Sequence, residues 1–352
     1  MVAWGGPRDK LQIPYLDTEP YYLPFRDPAW PGNRVRVLAA FLVTLPWTWW
    51  RLRAITRRQS IHLIICEFPD LGCLAVTLFK RLRLFPGQVI LRLHGADIFT
   101  ANQSRGLERF LWRLMYRTAD WVVACSNGLR DDVIRLDVRL ERRAIVIRHG
   151  IHIDSFRARS AGYQLPETLQ GRRFLLTIGR YEHKKGHDVL ITAFERIAGR
   201  FPDLLLVLIG DTGSGTEVVT QRVAESPVHS RILMFQRLPN ESMPVFLDAA
   251  LLFVLASRRE GFPIVLLEAG ACRKPVVATA AIGTVDMIRD GETGRLVPVD
   301  DSEALADAIA DLLEHPEKRD RLAGNLHRSM QEVFTWQRAY EQFVRLDKAF
   351  LS

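Results

Sequence analysis

Two glutamates eight residues apart, Glu260 and Glu268, enclose Gly261-Phe262-Pro263-Ile264-Val265-Leu266-Leu267. The apolar run 251–255 just before them reads as a strand. Gly261 permits a tight turn, and Pro263 suits the first position of a helix, where a missing N–H goes unnoticed. The spacing predicts a helix over 264–272, with Glu260 ahead of it and Glu268 inside it. Free backbone N–H groups between the two glutamates make an anion site. Carboxylates accept hydrogen bonds from paired hydroxyls and repel phosphate. A diphosphate at the helix start with polyols on either side, as in a nucleotide sugar, fits this pattern. A helix with an acidic start and one polar-face glutamate fits the spacing equally well.

Gly179-Arg180-Tyr181-Glu182-His183-Lys184-Lys185-Gly186 follows a second strand-like run, 174–178. Arg180 offers a planar fork and Lys185 a compact point charge, a pair suited to neutralising a diphosphate leaving group. A solvated basic loop is the plainer alternative. Gly210-Asp211-Thr212-Gly213 follows a third run, 204–209, and reads as a ligand loop or as a glycine turn.

The elements that must position these loops repeat a rhythm. Strands are predicted at 61–66, 88–93, 121–124 and 144–147, then at 174–178, 204–209, 232–235, 251–255 and 275–279. Helical patterns lie between them, among them 71–82, 107–118, 128–136, 188–200 and 264–272. Continuous apolar strands alternating with helices argue for parallel sheets covered on both faces, so for a doubly wound α/β architecture occurring twice. In such folds ligands bind beyond the carboxyl ends of the strands. The polar stretch 157–173 reads as a linker, and from Ser302 the pattern is helical, ending in an aromatic helix from Trp336.

Composition sets the frame. The 352 residues are 48% hydrophobic and 25% charged, which excludes a disordered or collagen-like chain and favours two globular domains. Lys and Arg number 48 and Asp and Glu 40. The excess is confined to residues 1–160, which carry eleven more positive than negative charges. That imbalance implies an anionic partner for the first half. Cys66, Cys73, Cys125 and Cys272 form no CxxC pair, so they read as free thiols in a reducing compartment rather than zinc ligands. No secretory signal is expected. The apolar run 37–50 is too short to span a bilayer and contains Pro46.

With these residues in order, the chain resembles the retaining glycosyltransferases of family 4, the group 1 glycosyltransferases. The resemblance is carried by Gly179-Arg180 with Lys185-Gly186, by Gly210-Asp211, and by Glu260 through Glu268. Lys274-Pro275-Val276-Val277, Gly283 and Gly291-Glu292-Thr293-Gly294 support it. In the first half, His94-Gly95, Cys125-Ser126 and His149-Gly150 carry a weaker likeness. The resemblance implies a GT-B fold, two Rossmann-like domains facing across a cleft. Residues 1–165 would form the acceptor-side domain, 166–335 the nucleotide-sugar domain, and 336–352 a helix packing back on the first. It also implies roles. His94, Glu260, Arg180 and Lys185 would be catalytic. Gly179, Arg180, Lys185, Gly210, Asp211, Glu260, Gly261, Phe262, Pro263, Ile264, Val265 and Glu268 would bind the donor, a UDP- or GDP-linked sugar. His94 would touch the sugar near the reacting carbon, Glu268 the ribose and Glu260 the transferred sugar. The sequence holds no Asp-x-Asp pair, so metal-independent transfer without a cofactor is expected.

The chain departs from the family pattern in places. Trp4-Gly5-Gly6 sits near its start with no strand predicted before it, so the first strand–loop–helix unit reads as missing or replaced. His149 and His152 stand where Asn and Asp are usual, and Asp286 where Glu is usual. Clustered tryptophan and arginine at 46–58, with a second basic aromatic helix at 105–117, match an interfacial helix on an anionic bilayer. They match equally a helix with tryptophan in the core and arginine in solvent. The expected function is sugar transfer to a lipid-linked or polysaccharide acceptor by a cytoplasmic protein held peripherally at the inner face of the plasma membrane. The alternative is an inactive GT-B protein that binds partners in glycan assembly. No nucleic-acid-binding motif is present.

Overall fold

A computed structural model describes Val2–Ala3, Tyr21–Tyr22, Pro28 and residues 34–351. Its strands are β1 (Val2–Ala3), β2 (Tyr21–Tyr22), β3 (Leu63–Glu67), β4 (Gln88–Leu93), β5 (Trp121–Ala124), β6 (Ala144–Val146), β7 (Arg173–Ile178), β8 (Leu204–Gly210), β9 (Ile232–Gln236), β10 (Leu252–Leu255), β11 (Val276–Thr279) and β12 (Arg295–Val297). Its helices are α1 (Arg34–Arg58), α2 (Leu74–Arg81), α3 (Ala96–Gln103), α4 (Gly106–Thr118), α5 (Asn127–Leu136), α6 (Ile153–Ala158), α7 (His187–Ile197), α8 (Thr216–Ala224), α9 (Met243–Ala249), α10 (Ile264–Ala271), α11 (Ser302–Glu314), α12 (Pro316–Glu332) and α13 (Trp336–Leu351).

The chain divides into two compact units. One is Met1–Val146 with Asp347–Ser352, the other Ile147–Leu346. The division therefore falls ahead of the polar stretch 157–173, part of which is taken up by α6. In the first unit β3-β4-β5-β6 form a parallel sheet in sequence order. Every residue of β4 is buried, so both faces of that sheet are covered. Val2–Ala3 pairs in parallel with Tyr21–Tyr22. A strand thus does precede Trp4-Gly5-Gly6, although that tripeptide lies outside the described residues.

The second unit holds a six-stranded parallel sheet in the order β12-β11-β10-β7-β8-β9. All seven residues of β8 are buried. From β7 the chain builds outward through β8 and β9, then returns to the other side of β7 to place β10, β11 and β12. The switch point lies between β7 and β10. Strand order thus sets the loops after β7 and β10 side by side, although more than seventy residues separate them in sequence. The aliphatic faces of α7 and α11 close the core against this sheet.

Helix α1 runs through Pro46 without ending there. Pro46 lies on the exposed side of the helix, near the exposed Leu42. The hydrogen bond that proline removes is therefore lost where water can compensate. Among the described residues, no helix is long and apolar enough to cross a membrane. None of the four cysteines is in a disulfide; three are buried and Cys66 is half-buried.

Candidate functional site

The loop after β7 starts with Gly179, whose N–H donates to the Ile209 carbonyl of β8 at 2.9 Å. Tyr181 is fully buried, its hydroxyl donating to the carbonyls of Leu208 and Phe235 at 3.1 and 2.9 Å. That anchor turns the neighbouring Arg180 outward. Its guanidinium pairs with Glu182 at 2.9 Å and remains largely exposed. Gly210 packs on this loop so closely that a Cβ there would lie 2.4 Å from the Gly179 carbonyl. A cavity of about 710 Å³ opens at the ends of β7, β8 and β9, a size that suits a small ligand. Of the predicted residues, Gly179, Arg180, Gly210 and Asp211 line it.

Lys185 runs past Gly179, its stem about 3.5 Å from where a Cβ there would stand, and ends 2.7 Å from Glu260. The same Glu260 oxygen accepts from the Ser257 hydroxyl at 2.7 Å. Glu260 is 8% exposed, so its charge is met by one cation and one hydroxyl away from bulk water. The structure brings this pair together from the loops after β7 and β10. An ammonium carries three donors, so a Lys185 already bound to Glu260 keeps N–H groups for a phosphate oxygen.

Helix α10 begins at Ile264, where the predicted range 264–272 starts, and Pro263 is the residue before it rather than its first. Gly261, Phe262 and Pro263 are buried, whereas Ile264 is 51% exposed at the helix start. The Phe262 ring packs against His149 and Phe334, with ring centres 5.6 and 6.1 Å away, so that side chain is committed to the interior. No side chain caps α10, and within its first turn the Leu266 N–H donates to the Pro263 carbonyl at 2.9 Å, which leaves the N–H groups of Ile264 and Val265 for a ligand. Glu268 lies half-buried one turn further on. Burial pushes its carboxyl up to about 7, against a pull downward from Arg159.

His94 belongs to the first unit. Its Nε2–H donates to Glu67 at 2.6 Å, and its ring stacks on Phe68 at 3.7 Å. Burial raises the Glu67 carboxyl, but bonding to His94 and the charge of Arg92 outweigh it and hold Glu67 below its ordinary range. Asp97 at the start of α3 accepts from the N–H groups of His94, Gly95 and Ile98, which fixes the backbone at His94. Ser126 accepts from Leu129 N–H as the cap of α5.

Comparison with known proteins adds to this geometry. The family model described as glycosyl transferases group 1 matches residues 166–328, and that of glycosyltransferase family 4 matches residues 14–155. The chain is a family 4, group 1 glycosyltransferase. The relatives include an uncharacterized glycosyltransferase of Methanocaldococcus jannaschii, 28% identical over 81% of this chain and 74% of that protein. Alpha-maltose-1-phosphate synthase of Mycolicibacterium smegmatis is 32% identical over 66% of this chain and 64% of that protein. Among solved structures, Anabaena HepE in complex with UDP superposes with a TM-score of 0.72 at 19% identity, over 85% of this chain and 81% of that one. The fold of this glycosyltransferase is GT-B.

Sequence reasoning missed part of the site. Arg237, Pro239 and Asn240 form the far wall of the cavity. They follow β9 as the predicted loops follow their own strands, and that position was the signal available. Arg237 adopts φ 54, a left-handed conformation that turns the chain at the strand end. Glu67 and Asp97, the partners of His94, were missed as well; an aspartate three residues after His94, at a helix start, was the clue to the second.

Proposed function

We propose that this glycosyltransferase moves a sugar from a nucleoside diphosphate sugar, UDP- or GDP-linked, to a lipid-linked or polysaccharide acceptor, with retention of anomeric configuration and without a metal ion. The observation that carries this reading is the convergence of the β7 and β10 loops at the switch point, with Arg180 on the cavity and Lys185 on Glu260 beside it. That HepE was solved with UDP supports the donor class.

The chemistry follows from charge. Breaking a glycosyl–phosphate bond leaves positive charge on the sugar carbon and negative charge on the departing oxygen. Arg180, Lys185 and the N–H groups of Ile264 and Val265 would stabilise the departing diphosphate. Glu260 would hold the sugar hydroxyls and Glu268 the ribose. The acceptor oxygen attacks from the leaving-group side, its bond to carbon forming as the carbon–phosphate-oxygen bond breaks. Its proton passes to the departing phosphate. No enzymic nucleophile is required, and the configuration is retained. Of the four residues proposed as catalytic, three belong to the second unit and His94 to the first.

The membrane part of the proposal is supported by α1. Its outward side carries Leu42, Val43, Trp47 and Trp50, exposed by 55%, 78%, 49% and 63%. Phe41, Leu52 and Ile55 face inward. The helix holds six arginines and no acidic residue, and the Arg51 guanidinium lies 5.7 Å from the Trp47 ring centre. Two of its tryptophans thus point outward, against the alternative that they fill the core. An apolar stripe flanked by arginine suits an anionic bilayer surface.

Thermal-shift screening against nucleotide sugars and bare nucleoside diphosphates tests the donor, because a ligand that binds only the folded state raises Tm. Arg180→Ala is expected to abolish the shift. A protein that no nucleotide stabilises, or a transfer product of inverted configuration, overturns the corresponding part of the proposal.

A further inference from the structure

Lys185 and Glu260 can serve one donor only if the loops that carry them keep a fixed spacing, and one side chain spans both loops. Arg258 stands two residues before Glu260. Its backbone N–H donates to the Lys184 carbonyl at 2.8 Å. Its Nη1 donates to the His183 carbonyl at 2.7 Å and to Asp188 Oδ1 at 2.9 Å, and its Nη2 to Asp188 Oδ2 at 2.7 Å. Its Nε lies 2.6 Å from Asp300. All three guanidinium nitrogens are therefore engaged, in a planar arrangement that lysine cannot reproduce. The side chain is only 17% exposed. Burial alone would raise the Asp188 carboxyl; the bonds and charge of Arg258 outweigh it and hold the group low. The backbones also touch nearby, where a Cβ on Gly186 would lie 2.0 Å from the Ala256 carbonyl oxygen. Arg258 does not line the 710 Å³ cavity.

We propose that Arg258 is a positioning residue for sugar transfer. By clamping 183–184 and Asp188 to the loop of Glu260, it holds the Lys185 ammonium where it bridges Glu260 and a donor phosphate. The inference rests on the donor reading above and extends it to a residue that touches no donor atom. A positioning role makes a specific demand: removing Arg258 must weaken nucleotide binding through Lys185, and through nothing else.

The test is a double-mutant cycle read by titration calorimetry with UDP and with GDP. Its corners are the wild type, Arg258→Gln, Lys185→Gln and the double variant. Arg258→Gln is expected to weaken binding about tenfold in the wild-type background and less than about twofold once Lys185 is gone, because residues coupled through one backbone segment act non-additively. Arg258→Lys is expected to give no rescue, since it restores charge without the fork. If Arg258→Gln does not fold, Asp188→Asn takes its corner, because it breaks the same clamp from the other side. Equal losses in both Lys185 backgrounds would leave Arg258 a purely structural residue and overturn the proposal. A wild type that binds neither UDP nor GDP would instead refute the donor reading, and the clamp with it.

Discussion

At the scale of single residues, Glu268 has a protonation state that changes near neutral pH. Its carboxyl is pushed up to about 7 from an ordinary 4.5, chiefly by burial. Between those values the folded chain keeps a proton that the unfolded chain has lost. Glu268 therefore contributes stability that is present at low pH and lost as pH rises to about 7. Glu268→Gln should flatten this loss in urea unfolding compared at pH 5 and pH 8. If the ionised carboxylate holds the ribose, wild-type nucleotide affinity should rise relative to the Gln variant between pH 6 and pH 8, and parallel profiles would remove that role. The Lys185–Glu260 pair gives a second expectation. Lys185→Ala leaves a buried carboxylate with only Ser257 as partner, and should cost about 3 kcal/mol. Glu260→Gln keeps an acceptor for both neighbours and should cost less in the same denaturant titration.

At the scale of elements, loops meet at backbone contact where only glycine fits. Gly186 holds φ 65 between the β7 loop and α7, against the Ala256 carbonyl. Gly283 holds φ 81 with a virtual Cβ 2.4 Å from the Gly261 carbonyl, so the loop after β11 abuts the start of the Glu260–Glu268 segment. Gly186→Ala should destabilise by at least about 2 kcal/mol, since the conformation alone costs roughly 1–2 kcal/mol before any clash. Gly324, inside α12 with open space where a Cβ would go, provides the contrast. Gly324→Ala should stabilise by about 0.5–1 kcal/mol through helix propensity. Chemical denaturation of the two variants side by side checks both signs.

For the whole molecule, charge and apolar surface act together. The positive excess lies in residues 1–160, the same part of the chain that displays the α1 stripe. Trp47→Ser with Trp50→Ser should lower affinity for anionic vesicles at least about tenfold, since apolar burial and charge contribute jointly to interfacial binding. Co-sedimentation with anionic and with zwitterionic vesicles at low salt measures this. A wild type that ignores both vesicle types ends the membrane proposal.

Much of this was local and so legible from residue order. Strands such as β4 and β8 are continuous apolar runs because both faces of a parallel sheet are covered, and that pattern survives in one dimension. Arg180, Asp211 and the stretch from Glu260 to Glu268 were readable because each directly follows a strand. What depended on strand order was hidden. Lys185 meets Glu260, and Arg258 meets Asp188, only because β10 is laid down beside β7 after β8 and β9 have gone to the other side. Composition named the tryptophans of α1, but packing decided which way they point, since a helix does not choose its covered face without neighbours.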